Sequence, residues 1–241
     1  MEVGAASHVG QVRAENEDTY GRFTRAVGRR NEHLFVVADG MGGHVRGEVA
    51  SRLAVEAVEE AFFAEPAAAA AERLRQAFEA ANARVFARAQ EDPALLKMGT
   101  TCTALALVNG HAYMAHVGDS RAYRIDADGI EQLTHDHTLV EELRRQGVLS
   151  EAEARTHPRR HALTRALGVQ PALAVDVLEA MPVRAAQAYL LCSDGLAPVP
   201  DDEIRAVVQT LDPQAACERL VELTNARGGP DNVTVLLVRI D

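Results

Sequence analysis

Several absences narrow what this chain can be. It has only three cysteines in 241 residues, Cys102, Cys192 and Cys217, scattered and odd in number. Two of them lie inside apolar strand-like runs, so they read as small core side chains rather than a disulfide framework or reactive thiols. They also lack zinc-ligand spacing. No apolar run is long enough to span a bilayer. The first residues show no charged start followed by an apolar stretch, so no signal peptide is expected. Positive charge is outweighed: the net charge is −10, which argues against a nucleic-acid phosphate backbone as partner. There is no internal repeat and no linker-like low-complexity tract. The expectation is a cytoplasmic protein, with no nucleic acid or membrane as partner, folded as a single domain over residues 1–241.

What is present is a set of placed aspartates. Apolar residues make up 47% of the chain, which suits an ordinary globular core. Four aspartates flank apolar runs, with glycine close to each. They are Asp39 after Leu34-Phe35-Val36-Val37-Ala38, Asp119 after Ala115-His116-Val117-Gly118, Asp194 after Leu190-Leu191-Cys192-Ser193, and Asp231 after Gly228-Gly229-Pro230. Strand ends place side chains rigidly, and glycine lets other groups approach closely. Carboxylates converging at one rim repel each other unless a hard cation neutralises them. The pattern predicts a Mg²⁺ or Mn²⁺ site, and with it an enzyme.

Periodicity predicts helices over 46–64 and 67–91, with Pro66 at the start of the second. Leu74, Phe78, Ala81, Val85 and Phe86 share one face of that helix. Strands are expected over 101–108 and 111–117, joined by Asn109-Gly110, whose two residues suit positive φ in a hairpin turn. A third strand, 121–125, turns at Asp126 to Gly129. Shorter helices are expected over 139–146, 150–155, 201–209 and 213–225, and a closing strand over 233–240. Strands and helices arrive in blocks, which favours an α+β layered architecture with antiparallel sheets. The segment 136–168 is rich in charge, has a weak core signal, and lies among His135, His137, His157 and His161. It reads as a partly helical flap over one edge of the domain.

Other motifs join the aspartates. Ser7-His8-Val9-Gly10-Gln11-Val12-Arg13 leads to Glu17-Asp18; alone, this could be a surface ion pair. Further segments are Asp39-Gly40-Met41-Gly42-Gly43-His44, Gly99-Thr100-Thr101, Val117-Gly118-Asp119-Ser120-Arg121, Leu163-Thr164-Arg165-Ala166-Leu167-Gly168, Cys192-Ser193-Asp194-Gly195-Leu196 and Asp231-Asn232-Val233-Thr234-Val235. In this order they closely resemble the metal-dependent serine/threonine protein phosphatases of type 2C, above all the compact bacterial branch. The resemblance runs from about residue 3 to residue 240.

That resemblance implies a four-layer α-β-β-α sandwich with two central antiparallel sheets. It implies two to three Mn²⁺ or Mg²⁺ ions and hydrolysis of phosphoserine and phosphothreonine by a metal-activated water, without a phosphoenzyme. Asp39 would bridge two metals, with the Gly40 carbonyl on the second. Asp194 and Asp231 would complete the first. Glu17 and Asp18 would serve the second, directly or through water. Asp119, with Asp194, would hold a third, and Arg13 would bind the substrate phosphate. The implied partners are phosphoproteins, including a eukaryotic-like serine/threonine kinase and its substrates.

Two departures stand out. Many eukaryotic relatives carry histidine directly after the aspartate-glycine pair, as the proposed general acid; here that position is Met41. His44 and His161 are candidate proton donors, as is a water on the third metal. After Leu196 the chain reads Ala197-Pro198-Val199-Pro200, where relatives carry a polar or acidic residue; Asp201 and Asp202 are then expected to cap a helix. Ser120 reads as structural, since no histidine–carboxylate pair marks it as a nucleophile. His116 reads as a core histidine, and Asn232 as orienting Asp231. Two rival readings remain: a phosphatase for a non-protein phosphate ester, and an inactive phosphate-binding module.

Overall fold

The computed structural model describes residues 1–28, 30–42 and 45–241. The chain opens with three strands, β1 (Glu2–His8), β2 (Asp18–Val27) and β3 (Arg30–Met41). Two long helices follow, α1 (Val45–Phe62) and α2 (Ala70–Glu91). Then come β4 (Gly99–Thr100), β5 (Cys102–Val108), β6 (His111–Val117), β7 (Arg121–Ile125) and β8 (Ile130–Gln132). Two short helices, α3 (Leu139–Arg145) and α4 (Glu151–Thr156), occupy the expected flap. The chain ends with β9 (Asp176–Pro182), β10 (Ala188–Cys192), α5 (Asp201–Thr210), α6 (Pro213–Ala226) and β11 (Val233–Arg239).

The strands form two antiparallel sheets. One has the order β1-β11-β10-β7-β8; the other runs β2-β3-β5-β6-β9, with β4 paired to β3. Side chains alternate across each strand, and here both faces are apolar. On β3, Leu34, Val36 and Ala38 pack against α1 and α2. Phe35 and Val37 point the other way, into a core shared with Leu105, Met114, Tyr189, Leu191, Leu236 and Val238. On the other sheet, Leu190, Cys192, Val233, Val235 and Leu237 face α5 and α6. The layers are therefore helix, sheet, sheet, helix, as the motifs implied. Each buried Leu or Phe contributes roughly 1.5–3 kcal/mol of apolar burial.

Burial on both faces explains why these strands read as unbroken apolar runs rather than alternating ones. The edge strands β1, β2 and β9 carry mixed sequences and escaped the sequence reading, as did the three-residue β8 and the two-residue β4. The Asn109-Gly110 turn is as expected, with φ of 52° and 77°.

Three local expectations are corrected. The second helix begins at Ala70, not 67, with Ala69 in extended backbone at its N-cap; Pro66 stands in the preceding turn. Its expected apolar face is buried except Phe86, which is half-buried. Asp201 and Asp202 do not cap α5. Pro200 holds the cap position without a side-chain bond, and the two aspartates sit in the first turn, where the helix dipole favours negative charge. At the start of β3, away from Asp39, a buried Glu32–Arg73 pair at 2.6 Å ties β3 to α2. Arg73 also donates to the Phe62 carbonyl at 2.9 Å and lies 4.1 Å over the Phe62 ring.

Candidate active site

The register brings one end of both sheets to a common mouth. Asp18 opens β2 directly opposite Asp39, near the end of β3. In the other sheet, β1 ends at His8 opposite Val233, where β11 begins, and Cys192 ends β10 opposite Val235. Asp194 therefore leaves the sheet beside the point where Asp231 enters it. Asp119 lies in the short link from β6 to β7, which carries the chain from one sheet to the other. Arg13 is in the loop between β1 and β2. A cavity of about 920 Å³ opens here, lined by Arg13, Glu17, Asp39, Gly40, Asp119, Asp194 and Asp231. Flap residues Arg160, His161 and Leu163 close one side.

The scaffold behind the aspartates is densely bonded. The Asp39 N–H donates to Thr101 Oγ1 at 2.9 Å, and the Thr101 N–H returns to the Asp39 carbonyl at 2.9 Å. Thr101 in turn meets Ser120 hydroxyl to hydroxyl at 2.6 Å. Ser120 is fully buried, which settles it as a structural partner. Asn232 does more than orient Asp231. Its amide nitrogen donates to the carbonyls of Val9 and Glu15, both at 2.9 Å, and its oxygen accepts the Glu17 N–H at 2.9 Å. It thus pins the whole loop that carries Arg13. Ser193 donates to Asp18 at 2.8 Å and accepts the Thr234 N–H at 2.9 Å.

One glycine leaves room for a second cluster. A Cβ on Gly47 would overlap Glu17 Oε2 and come within 2.8 Å of the Gly40 carbonyl oxygen. The Glu17 carboxylate and the Gly40 carbonyl therefore converge beside the first turn of α1. Neither Gly47 nor its neighbours drew notice in the sequence; a glycine early in a helix was the available signal.

Electrostatics make the mouth strained without a cation. Burial pushes the Asp39 carboxyl well above its usual range, and the charges of Asp18, Asp194, Asp119 and Asp231 push it further. Burial raises Asp18 to about 7, aided by Asp194 and Asp231. Asp119 rises to about 8, again chiefly by burial and then by Asp194. Asp18 Oδ1 is buried with no hydrogen-bond partner, and such an atom is costly unless something else satisfies it. Among the described residues no group of three or more His, Cys, Asp or Glu side chains is placed to hold a metal ion as they stand. The carboxylates turn to nearby protein cations instead. Arg13 donates to Asp231 at 2.8 Å, and His161 Nδ1 stands 3.7 Å from Asp194, which raises the histidine pKa. An all-oxygen donor set with an orphaned buried carboxylate oxygen fits a hard divalent cation.

Each sequence-predicted residue is accounted for. Arg13, Glu17, Asp39, Gly40, Asp119, His161, Asp194 and Asp231 line the mouth. Asp18 lies behind it, opposite Asp39. His44 lies outside the described residues. His116 is fully buried, bonded to Thr103 at 2.9 Å and to the His135 carbonyl at 3.1 Å, as a core histidine should be. The cysteines are buried and free.

Two layers of antiparallel sheet between helix pairs, with carboxylates gathered at one end, define an α-β-β-α scaffold with an acidic mouth suited to hard cations. The chain belongs to the protein phosphatase 2C family, whose model matches residues 7–228. It is 38% identical over 240 residues to the serine/threonine phosphatase stp of Listeria monocytogenes, covering 96% of this chain and 93% of that protein. The crystal structure of the Mycobacterium tuberculosis serine/threonine phosphatase PstP superposes with a TM-score of 0.88 at 36% identity, over 100% of this chain and 98% of that one. A PstP catalytic domain in complex with two manganese ions gives a TM-score of 0.84 at 36% identity, over 100% and 98% of the two chains.

Proposed function

We propose that this chain is a serine/threonine phosphatase that hydrolyses phosphoserine and phosphothreonine monoesters on proteins, with two to three Mn²⁺ or Mg²⁺ ions at the acidic mouth. The observation that carries this reading is the mouth itself. Asp119 is buried and Asp18 and Asp39 are half-buried at the same end of the sheets, Asp18 Oδ1 lacks a partner, and Arg13 reaches into the same cavity. Family membership and the named relatives support the activity, and the manganese-bound relative supports the ions.

The residue roles are those the family resemblance implies, and the placement of these side chains around one mouth supports them. Asp39, Asp194 and Asp231 would hold the first ion, and Asp39 would also serve the second. Glu17 and Asp18, directly or through water, would join the Gly40 carbonyl on the second, and Asp119 with Asp194 would hold a third. When bound, such ions lower the pKa of a coordinated water and neutralise the phosphoryl oxygens. The chain's own groups do the positioning. The Arg13 guanidinium is half exposed and free to exchange Asp231 for a phosphate, whose planar recognition suits arginine. No phosphoenzyme is expected. Ser120 and Ser193 are both locked in hydrogen bonds, and burial pushes the thiols up, Cys192 to about 12. Partners under this reading are phosphoproteins, including a eukaryotic-like kinase and its substrates, in the cytoplasm. The three apolar clusters share the two sheets, which supports one domain over 1–241.

The test measures hydrolysis of p-nitrophenyl phosphate and a phosphothreonine peptide with Mn²⁺, with Mg²⁺ and with chelator. Turnover of both is expected only with metal, and Asp231→Asn should lose at least about a hundredfold. Chelator-resistant turnover overturns the mechanism. Hydrolysis of the small ester alone favours the non-protein rival, and none at all the inactive module.

A further inference from the structure

Beneath the flap lies a chain of side chains that the proposed chemistry does not use. His137 is buried, with its side chain 3% exposed. It grips Gly118 from both sides: its backbone N–H donates to the Gly118 carbonyl at 2.7 Å, and its Nδ1 accepts the Gly118 N–H at 3.1 Å. An accepting Nδ1 leaves the proton on Nε2, which donates to Asp176 Oδ2 at 3.0 Å. The other Asp176 oxygen accepts from Arg165 Nη1 at 2.6 Å, and Arg165 also donates to the Ala174 carbonyl at 3.3 Å. The His137 carbonyl accepts the Thr164 N–H at 2.8 Å. One residue on, Thr138 pairs with Leu163, and the Leu139 N–H donates to the Ala162 carbonyl at 2.9 Å. The outgoing and returning arms of the flap are thus sewn together at His137.

Gly118 is the residue that aims Asp119. It has φ of 110°, where only glycine is comfortable, and a Cβ there would meet Thr101 Cβ at 2.6 Å. The turn has no slack on the Thr101 side, so its position depends on what holds the opposite side, and that is His137. The ring of His116 packs on His137 at 4.7 Å between centroids and is itself fixed to Thr103 and the His135 carbonyl.

We infer that His137, Asp176 and Arg165 form a positioning relay that couples the flap's return arm to the Gly118–Asp119 turn, so that the seating of the flap sets the place of the Asp119 carboxylate. This rests on the reading of Asp119 as a cation ligand. None of the three touches substrate. They act through Gly118, and the flap's anchoring thereby tunes the third cation rather than the first two.

Histidine can be dissected by its two nitrogens. His137→Asn keeps an acceptor near the Nδ1 position and loses the reach to Asp176. His137→Gln keeps the reach and loses the Gly118 acceptor. Asp176→Asn and Arg165→Met cut the relay without touching Gly118, and Arg165→Lys restores a donor. The first readout is amide hydrogen exchange of Gly118 in the metal-free protein. It should quicken about fivefold to tenfold in His137→Gln, Asp176→Asn and Arg165→Met, the loss of one hydrogen bond, and return towards wild type in Arg165→Lys. The second is the Mn²⁺ concentration for half-maximal turnover, which should rise by a similar factor with kcat at saturating Mn²⁺ within about twofold. Wild-type Gly118 exchange in folded Asp176→Asn and Arg165→Met overturns the relay. So does an equal fall of kcat that Mn²⁺ does not recover. If the wild type shows no metal-dependent turnover, the functional reading fails, and the exchange arm still decides the relay.

Discussion

Arg13 and Asp231 form an ion pair at 2.8 Å with Arg13 half exposed, and an exposed pair of this kind contributes at most about 1 kcal/mol. Under the proposed function it is a resting arrangement that a phosphate dianion replaces. Arg13→Ala should therefore raise KM for a phosphothreonine peptide about tenfold or more, with a smaller fall in kcat and a melting temperature within about 2 °C of wild type. Steady-state kinetics beside a thermal scan checks this; an unchanged KM removes Arg13 from phosphate binding. His161 is two-thirds exposed and close to Asp194. An exposed histidine on a flap is poorly fixed to deliver a proton to one oxygen. His161→Ala should therefore lose less than about a hundredfold in kcat at saturating metal. A larger loss makes it the general acid.

Among single residues, what the sequence revealed was chemistry type. Aspartates beside glycines at strand ends announced a cation site. The sequence did not reveal which atoms bond to which. Ser193 beside Asp194 serves Asp18, 175 positions earlier, and Asn232 pins the Arg13 loop across more than 200 positions. Such partners are set by strand pairing, and no local signal encodes them.

The flap is the least anchored element. Of its two helices, only Val140 and Ala154 are buried. Helix α4 is held at its start by a capping box between Ser150 and Glu153. Ser150→Ala should quicken exchange of the Glu153 amide about fivefold while leaving the global melting temperature unchanged, because the segment adds little to the core and opens by itself. Exchange mass spectrometry reads this directly; a lowered global transition would show that the flap folds with the sandwich. The long helices were legible because burial of one face imposes periodicity, and the central strands because burial of both faces makes them unbroken apolar runs. The edge strands β1, β2, β8 and β9 were not, because an edge strand of mixed sequence needs its partner to be recognised.

Over the whole molecule, the buried carboxylates link stability to pH and to metal. Asp18 and Asp119 have native pKa values raised to about 7 and about 8 by burial, above the ordinary unfolded value of about 3.9. For a carboxyl raised on folding, the protonated native form is favoured, so its contribution is present at low pH and is lost as pH rises from about 4 through the native value. A divalent cation replaces those protons. The gain in melting temperature on adding Mn²⁺ should therefore grow between pH 5 and pH 8, where protons no longer compete. At a hundredfold excess over Kd the gain is about 2.7 kcal/mol. Asp39→Asn should flatten the pH dependence of that gain. His116, whose pKa burial lowers to about 3, runs the other way: it supports the fold above about pH 6.5 and withdraws that support as pH falls towards 3. Thermal scans across pH, with and without Mn²⁺, separate the two, because only the carboxylate part responds to metal.

The sequence by itself determined the layered α+β character, the helix pair after β3, the hairpin at Asn109-Gly110 and the acidic, cation-seeking nature of the site. These follow from composition, period and turn chemistry, which act over a few residues. The tertiary structure decided the rest. It faced Asp18 with Asp39, brought Asp194 beside Asp231, and packed Glu17 with the Gly40 carbonyl against Gly47. It also hung the Asp119 turn on His137. Those placements depend on strands paired across most of the chain's length, and register, not local propensity, fixes which carboxylates must share one small volume.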